Sequence, residues 1–217
     1  AVILGIDAEH NMTFCYEAQG KSNEVFRDTS YSIPKGPAAA MTVSVGEAKN
    51  IYILDPLKEA IYIQYVFQQY SSGSEYSGEF DPPFMQDVVD LASNGSELYL
   101  LHEDGQVTRC TRPNPEGAAD CVYPFMFSDD RPGMEAGPVL FGASFTALKL
   151  YDQLGTTLYM LDPEQQALYQ FSTQLEYQGQ YRPGEPLVGG AVTAFTFGKD
   201  NQILFAVGEQ VYLAARP

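Results

Sequence analysis

Apolar and polar residues alternate in short runs along most of the chain, and turn-forming residues close each run after five or six positions. A period of two marks a strand, because successive strand side chains face opposite sides of a sheet. The runs come in pairs. Asn50 to Leu54 leads through Asp55-Pro56-Leu57-Lys58-Glu59 to Ala60-Ile61-Tyr62, and Thr157 to Leu161 leads through Asp162-Pro163-Glu164-Gln165-Gln166 to Ala167-Leu168-Tyr169. Aligned, the two segments agree at Leu-Asp-Pro, at Ala and at Tyr. The hairpin recurs at Glu97 to His102, with Glu103-Asp104-Gly105 and Gln106-Val107-Thr108, and at Gln202 to Val207, with Gly208-Glu209 and Gln210 to Leu213. A weaker copy opens the chain: Val2 to Ile6, a turn at Asp7 to Asn11, then Met12 to Tyr16.

Taking Leu4, Tyr52, Tyr99, Tyr159 and Phe205 as anchors, the copies are 48, 47, 60 and 46 residues apart. About six residues before each of the last four hairpins lies an apolar stretch: Met41 to Val45, Val88 to Ala92, Phe145 to Leu150 and Val192 to Phe197. The unit therefore reads as an inner strand, two hairpin strands and a looser outer strand. Repetition every ~40–50 residues is the mark of a β-propeller. A β-sandwich also has short strands, but it does not need the same hairpin at a fixed spacing. The expected fold is all-β: one propeller domain over residues 1–217, with five recognisable blade units, the first and last incomplete. The first unit opens at its second strand and the last stops at its third. That predicts a longer chain of which this is the C-terminal part, in a ring of six or more blades. Ala1 to Ile6 lacks the basic leader and cleavage site of a signal peptide. The longest step between anchors marks an insertion between Asn114 and Pro138, whose Pro, Gly and acids predict a surface loop.

A strand, an Asp-led turn and an aliphatic strand together resemble the repeat of NHL-like propellers. Asp87-Val88-Val89-Asp90-Leu91-Ala92, the run Glu97 to Val107, Ile51 to Pro56 and the ending Gln210 to Pro217 are similar to a propeller of uncharacterised Chloroflexi-type bacterial proteins. There the propeller often follows a PPM-type phosphatase-like domain and a membrane segment. The resemblance implies an extracytoplasmic sensor or scaffold. It carries over no metal ligand, because it does not reach the phosphatase-like domain.

Charge narrows the partners. The 28 acids against 12 bases give a net charge of −16, unsuited to nucleic acid or an anionic membrane surface, and compatible with a basic partner. No run of about 18 apolar residues is present to span a bilayer. The 15 Tyr and 13 Phe, with no Trp, suit half-buried strands.

Chemistry is sparse. Cys110 and Cys121 flank a short loop between adjacent strands and are candidates for a disulfide in an oxidising compartment, worth roughly 2 to 3 kcal/mol. Cys15 is then a lone core residue. His10 and His102 fall at strand-end turns; no Gly-x-Ser-x-Gly elbow accompanies them, so they read as turn residues. Asp7, Asp55, Asp104 and Asp162 recur at one turn of the unit, where an Asp side chain bonds its own backbone more readily than it binds calcium. Asp129, Asp130 and Glu135 form a second, irregular acidic group. Asn11-Met12-Thr13 and Asn94-Gly95-Ser96 are sequons. The Tyr-, Ser- and Gly-rich stretch Gln68 to Phe84, with Tyr70, Tyr76, Phe80 and Phe84, has the composition of an adaptable recognition loop. The leading expectation is a binding or scaffolding propeller for a protein or small ligand, without catalytic residues, metal or cofactor. Its rivals are a calcium- or cofactor-dependent enzyme of the lactonase or quinoprotein kind, for which Asp87 and Asp90 alone supply inner-strand acids, and an assembly subunit whose edges a neighbouring chain completes.

Overall fold

A computed structural model gives the fold. It describes residues 2–6, 12–18, 21–27, 40–43, 50–55, 59–65, 74–75, 85–111, 119–151, 155–185, 187–198 and 202–215. These form five antiparallel sheets, each a meander in chain order. The first holds β1 (Val2–Ile6), β2 (Met12–Ala18) and β3 (Lys21–Arg27). The second holds β4 (Ala40–Val43), β5 (Asn50–Asp55), β6 (Ala60–Tyr65) and β7 (Ser74–Glu75). The third holds β8 (Val88–Ser93), β9 (Glu97–His102), β10 (Val107–Thr111) and β11 (Asp120–Val122). The fourth holds β12 (Ala147–Tyr151), β13 (Thr157–Asp162), β14 (Ala167–Ser172) and β15 (Tyr177–Tyr181). The fifth holds β16 (Val192–Phe197), β17 (Gln202–Val207) and β18 (Gln210–Ala215). No helix occurs among the described residues, and none there is long and apolar enough to cross a membrane.

The second to fifth sheets pack side by side. β8 lies beside both β4 and β12, and β12 beside β16. The central strands show what this does to the sequence. In β9 and β13 every residue after the first is buried, because both faces of the sheet are covered. Leu98 and Leu100 of β9 pack with Tyr52, Leu54 and Ile61 of the second sheet. Tyr99 and Leu101 point the other way, to Leu148, Leu158 and Met160 of the fourth. Tyr159 and Leu161 in turn meet Val192 and Ile203 of the fifth. Each such fully buried aliphatic or aromatic side chain contributes about 1.5–3 kcal/mol.

The repeated turn ends on the same backbone twice. Glu59 (φ 51°) and Gln166 (φ 48°) occupy one repeat position and share a left-handed backbone, and Gly105 (φ 83°) sits at the corresponding bend of the third sheet. Asp162 is fully buried. Its Oδ1 accepts the Gln165 amide at 2.9 Å and its Oδ2 the Ser144 amide at 3.1 Å. Asp104 Oδ1 accepts the Gln106 amide at 2.9 Å. Asp7 lies outside the described residues.

Two expectations need correction. The anchor of the fifth sheet is Leu204 rather than Phe205. Phe205 packs with Ile203 and Val207 toward the fourth sheet, the opposite face from the one Tyr159 uses in its own sheet. A one-residue slip in strand alignment exchanges the two faces, and the shorter Gly208-Glu209 turn hides it. The insertion is also more than a surface loop. Phe127 is 1 % exposed, with its ring 5.3 Å from Phe171 and 6.0 Å from Phe145. Ser128 pairs with Glu176: its amide donates to Leu175 O at 3.1 Å and its carbonyl accepts from the Tyr177 amide at 2.9 Å. Next to it, Arg131 clasps the Asp129 carboxylate through Nε (2.8 and 3.0 Å) and Nη2 (2.5 Å), while its guanidinium covers the Tyr177 ring at 3.7 Å. The Pro, Gly and acids around Phe125 and Phe127 mask the apolar pair that seats the segment in the core.

A disulfide joins Cys110 of β10 to Cys121, its direct cross-strand partner in β11. It staples a three-residue outer strand to the sheet. Alkylation of the denatured, unreduced protein is expected to label one thiol, that of Cys15, and three labelled thiols would exclude the bridge. The double substitution Cys110→Ala with Cys121→Ala is expected to lower unfolding free energy by about 2–3 kcal/mol.

The Arg131 hydrogen bonds hold the Asp129 carboxyl below its ordinary pKa. A depressed carboxylate contributes stability above its unfolded pKa of ~3.9 and loses it as pH falls through the lower folded value. Asp129→Asn is therefore expected to cost about 1–3 kcal/mol at pH 7 in urea unfolding, with the deficit shrinking below about pH 4. A deficit that stays constant down to pH 3 would contradict this account of the pair.

Candidate functional site

His102 closes β9, and the hairpin turn brings Thr108 of β10 back against it. Its Nδ1 lies 2.8 Å from Asp87 Oδ1 and its Nε2 2.7 Å from Thr108 Oγ1. With Nδ1–H donating to Asp87 and the Thr108 hydroxyl donating to Nε2, every polar group of the trio has a partner. This is the order of a nucleophile, a base and an orienting acid. Access separates it from a working triad. Thr108 is 0 % and His102 1 % exposed, and Tyr123 covers the imidazole with ring centroids 4.8 Å apart. No carbonyl can approach the Thr108 oxygen. The network instead locks the start of β8, the end of β9 and the start of β10 together. His102 stands at a strand-end turn, and there it is a buried hub. A His at a strand end, a Thr six residues later and an Asp fifteen residues earlier were the available signal.

The inner-strand acids are also engaged. Asp90 Oδ2 accepts the Leu148 amide of the neighbouring sheet at 2.9 Å and pairs with Lys149 Nζ at 3.2 Å, while its Oδ1 accepts the Leu91 amide at 2.9 Å. Among the described residues no three His, Cys, Asp or Glu side chains converge as metal ligands. Further out, Arg109 donates from Nε to Glu97 Oε1 at 3.0 Å and from Nη1 to Gln174 Oε1 at 3.3 Å across the sheet boundary. The Tyr99 hydroxyl, 2.9 Å from Glu97 Oε2 and 3.0 Å from Thr173 O, bridges the same boundary. Burial and the Glu97 charge raise the Tyr99 pKa well above its ordinary value, so this hydroxyl stays a donor.

One exposed region stands out on the turn side of the third and fourth sheets. There the insertion and the turn that follows it present Tyr123, Val139 and Phe141, which are 45, 41 and 88 % exposed. The residues flanking Phe141 are fixed. Leu140 is buried, Ala143 packs on the core, and the Ala143 amide donates to Leu140 O at 3.1 Å. Gly142 (φ 74°) supplies the left-handed third residue of that turn, and Gln165 Nε2 donates to its carbonyl. The turn thus fixes the backbone that carries an exposed phenyl ring. Partial burial, then the charges of Asp104 and Asp87, raise the Tyr123 pKa, placing two carboxylates beside this apolar patch.

The other sequence candidates lie elsewhere. Cys110 and Cys121 are at the outer edge of the third sheet. Tyr70, Tyr76, Phe80 and Phe84, and also His10 and Asn11, lie outside the described residues. The Asn94 amide is built into its own turn: Oδ1 accepts the Ser96 and Glu97 amides at 3.0 and 2.7 Å, and Nδ2 donates to Glu97 Oε2 at 3.1 Å.

Comparison with solved structures places the chain among β-propellers. The Cps50 (Swd1) β-propeller domain of Myceliophteria thermophila superposes with a TM-score of 0.53 at 8% identity, over 100% of this chain and 62% of that one. A putative 6-phosphogluconolactonase from Bacteroides uniformis superposes with a TM-score of 0.51 at 12% identity, over 100% of this chain and 63% of that one. The chain thus spans under two thirds of the length of either neighbour. At such identities the likeness is one of fold. No protein-family model matches the chain, and no curated protein matches it in sequence.

The buried trio makes a direct expectation. Thr108→Val keeps the shape and leaves His102 Nε2 without its partner, so it should cost about 1–3 kcal/mol in denaturant unfolding, whereas Thr108→Ser should cost much less. Equal stabilities for the two variants would contradict the lock.

Proposed function

We propose that this chain is a non-catalytic interaction module, an extracytoplasmic sensor or scaffold, that receives a basic, apolar protein segment on the insertion face. The observation that carries this reading is the exposure of Phe141, 88 % open to solvent on a turn whose flanking residues are anchored in the core. Burying such a ring against a partner is worth about 1.5–3 kcal/mol, less about 0.5–1.5 kcal/mol for ordering its side chain, while the turn that carries it is already in place. Tyr123 and Val139 widen the apolar patch, while Asp87, Asp104 and a net charge of −16 favour a cationic partner. The non-catalytic part of the reading is supported by the inaccessibility of Thr108 and by the engagement of Asp87 and Asp90 within the fold. The Cys110–Cys121 bridge supports an oxidising, extracytoplasmic setting. Membership of the NHL-like group, with a phosphatase-like domain nearby in the same protein, belongs to this proposal and rests on the repeat text alone.

Panning a random peptide library against the folded protein tests it. The expected result is enrichment of peptides combining Lys or Arg with aliphatic or aromatic residues, whose binding falls at least about tenfold with Phe141→Ser. Peptides that bind the variant as well as the parent, or the absence of any enriched peptide, would overturn the reading.

A further inference from the structure

The turn that carries Phe141 runs between the bends of two different sheets. On one side Val139 lies against the Glu103-Asp104-Gly105 bend of the third sheet: a Cβ on Gly105 would sit 4.0 Å from Val139 Cγ1. Tyr123 lies on that side too, over His102. Acids collect here. Asp87 bonds the His102 ring through its carboxylate and accepts the Glu103 amide at its carbonyl at 2.8 Å, and Asp104 follows. No described Lys or Arg is within ion-pair distance of Asp87, Glu103 or Asp104.

The other side carries the opposite charge. The Gly142 carbonyl accepts from Gln165 Nε2, and Gln165 Oε1 accepts from Arg182 Nη2. A single glutamine side chain therefore separates the Phe141 turn from an arginine. Gln180, with its amide turned so that Oε1 faces donors, accepts from Arg182 Nη2 at 3.1 Å and Nε at 3.3 Å, and from the Tyr169 hydroxyl at 2.7 Å. Tyr169 packs in the core shared with the third sheet, so this arginine belongs to the side of the fourth sheet on which the insertion lies. The groups that hold it are neutral. Asp162, in the same turn as Gln165, is occupied by the Gln165 and Ser144 amides. Among the described residues no carboxylate, the exposed Glu164 and Glu185 included, is within ion-pair distance of Arg182, whereas Arg109 has Glu97, Arg131 has Asp129 and Lys149 has Asp90. Arg182 is exposed, and its Nη1 has no partner among the described residues.

We infer that the insertion face binds a polypeptide segment in one charge order: a basic residue at the Asp87 and Asp104 end, apolar residues over Tyr123, Val139 and Phe141, and an Asp or Glu at the Arg182 end. The partner class is the one proposed above, on which this rests; the acidic residue and the charge order are added to it. A guanidinium meets a carboxylate through charge-assisted hydrogen bonds, and the amides that hold Arg182 reduce the ordering needed on binding. Opposite charges at the two ends of one apolar strip admit a bipolar segment one way round and oppose it the other way, because like charges then face each other.

Panning one random peptide library in parallel against the parent protein, Arg182→Glu and Phe141→Ser tests this. Peptides selected on the parent are expected to carry Asp or Glu on one side of an apolar centre and Lys or Arg on the other, and to bind Arg182→Gln about threefold to tenfold more weakly. Peptides selected on Arg182→Glu are expected to keep the apolar centre and lose the acidic residue. Arg182 is exposed and follows the last residue of its strand, so both of its variants should fold, which thermal unfolding checks. Acidic residues equally frequent in the two selections, or parent-selected peptides that bind Arg182→Gln as tightly as the parent, would overturn the charge order and leave the apolar, basic partner standing. Selected peptides that bind Phe141→Ser as tightly as the parent, or no enrichment on the parent, would overturn the partner class and the charge order with it.

Discussion

Burial of both faces of the central strands is the constraint on which the rest of this structure depends. A sheet covered on one side can stand with polar residues on the other; β9 and β13 cannot, because both of their faces are apolar. Leu98 and Leu100 require the sheet before, and Tyr99 and Leu101 the sheet after. Each sheet therefore completes the core of its neighbours, and stability accrues along the row as it does in other repeat architectures. Polar groups caught between sheets must find partners there. The Asp90 carboxylate meeting the Leu148 amide is such a meeting.

The same constraint explains what was legible. Leu98-Tyr99-Leu100-Leu101 and Leu158-Tyr159-Met160-Leu161 are readable because double-sided burial writes itself as an unbroken apolar run. The Leu-Asp-Pro turn is readable because the buried Asp162 has a backbone task. Less legible was phase. Nothing in Ile203-Leu204-Phe205 states which residue faces the fourth sheet, and only packing shows that Phe205 does. The insertion misled because its turn-forming residues outnumber Phe127, the one side chain that decides where it lies. The strand-end position of His102 was legible but its burial was not, because its two partners come from an earlier segment and the next strand.

Function follows from which polar and apolar groups remain accessible. The most reactive-looking constellation, Asp87 with His102 and Thr108, is sealed and serves the fold. What reaches solvent is of a different kind: an aromatic ring on a turn whose flanking residues are anchored in the core.

The central claim is that the second to fifth sheets join through their first strands, and the Leu148 amide reports on it most directly. Its hydrogen bond runs to Asp90 of the preceding sheet at 2.9 Å. Native-state hydrogen exchange should find this amide as protected as those bonded between β12 and β13, and Asp90→Ala should speed its exchange while leaving the β13–β14 ladder slow. Fast exchange of Leu148 in the unaltered protein, at the rate of an open strand edge, would contradict the side-by-side arrangement from which the rest is derived.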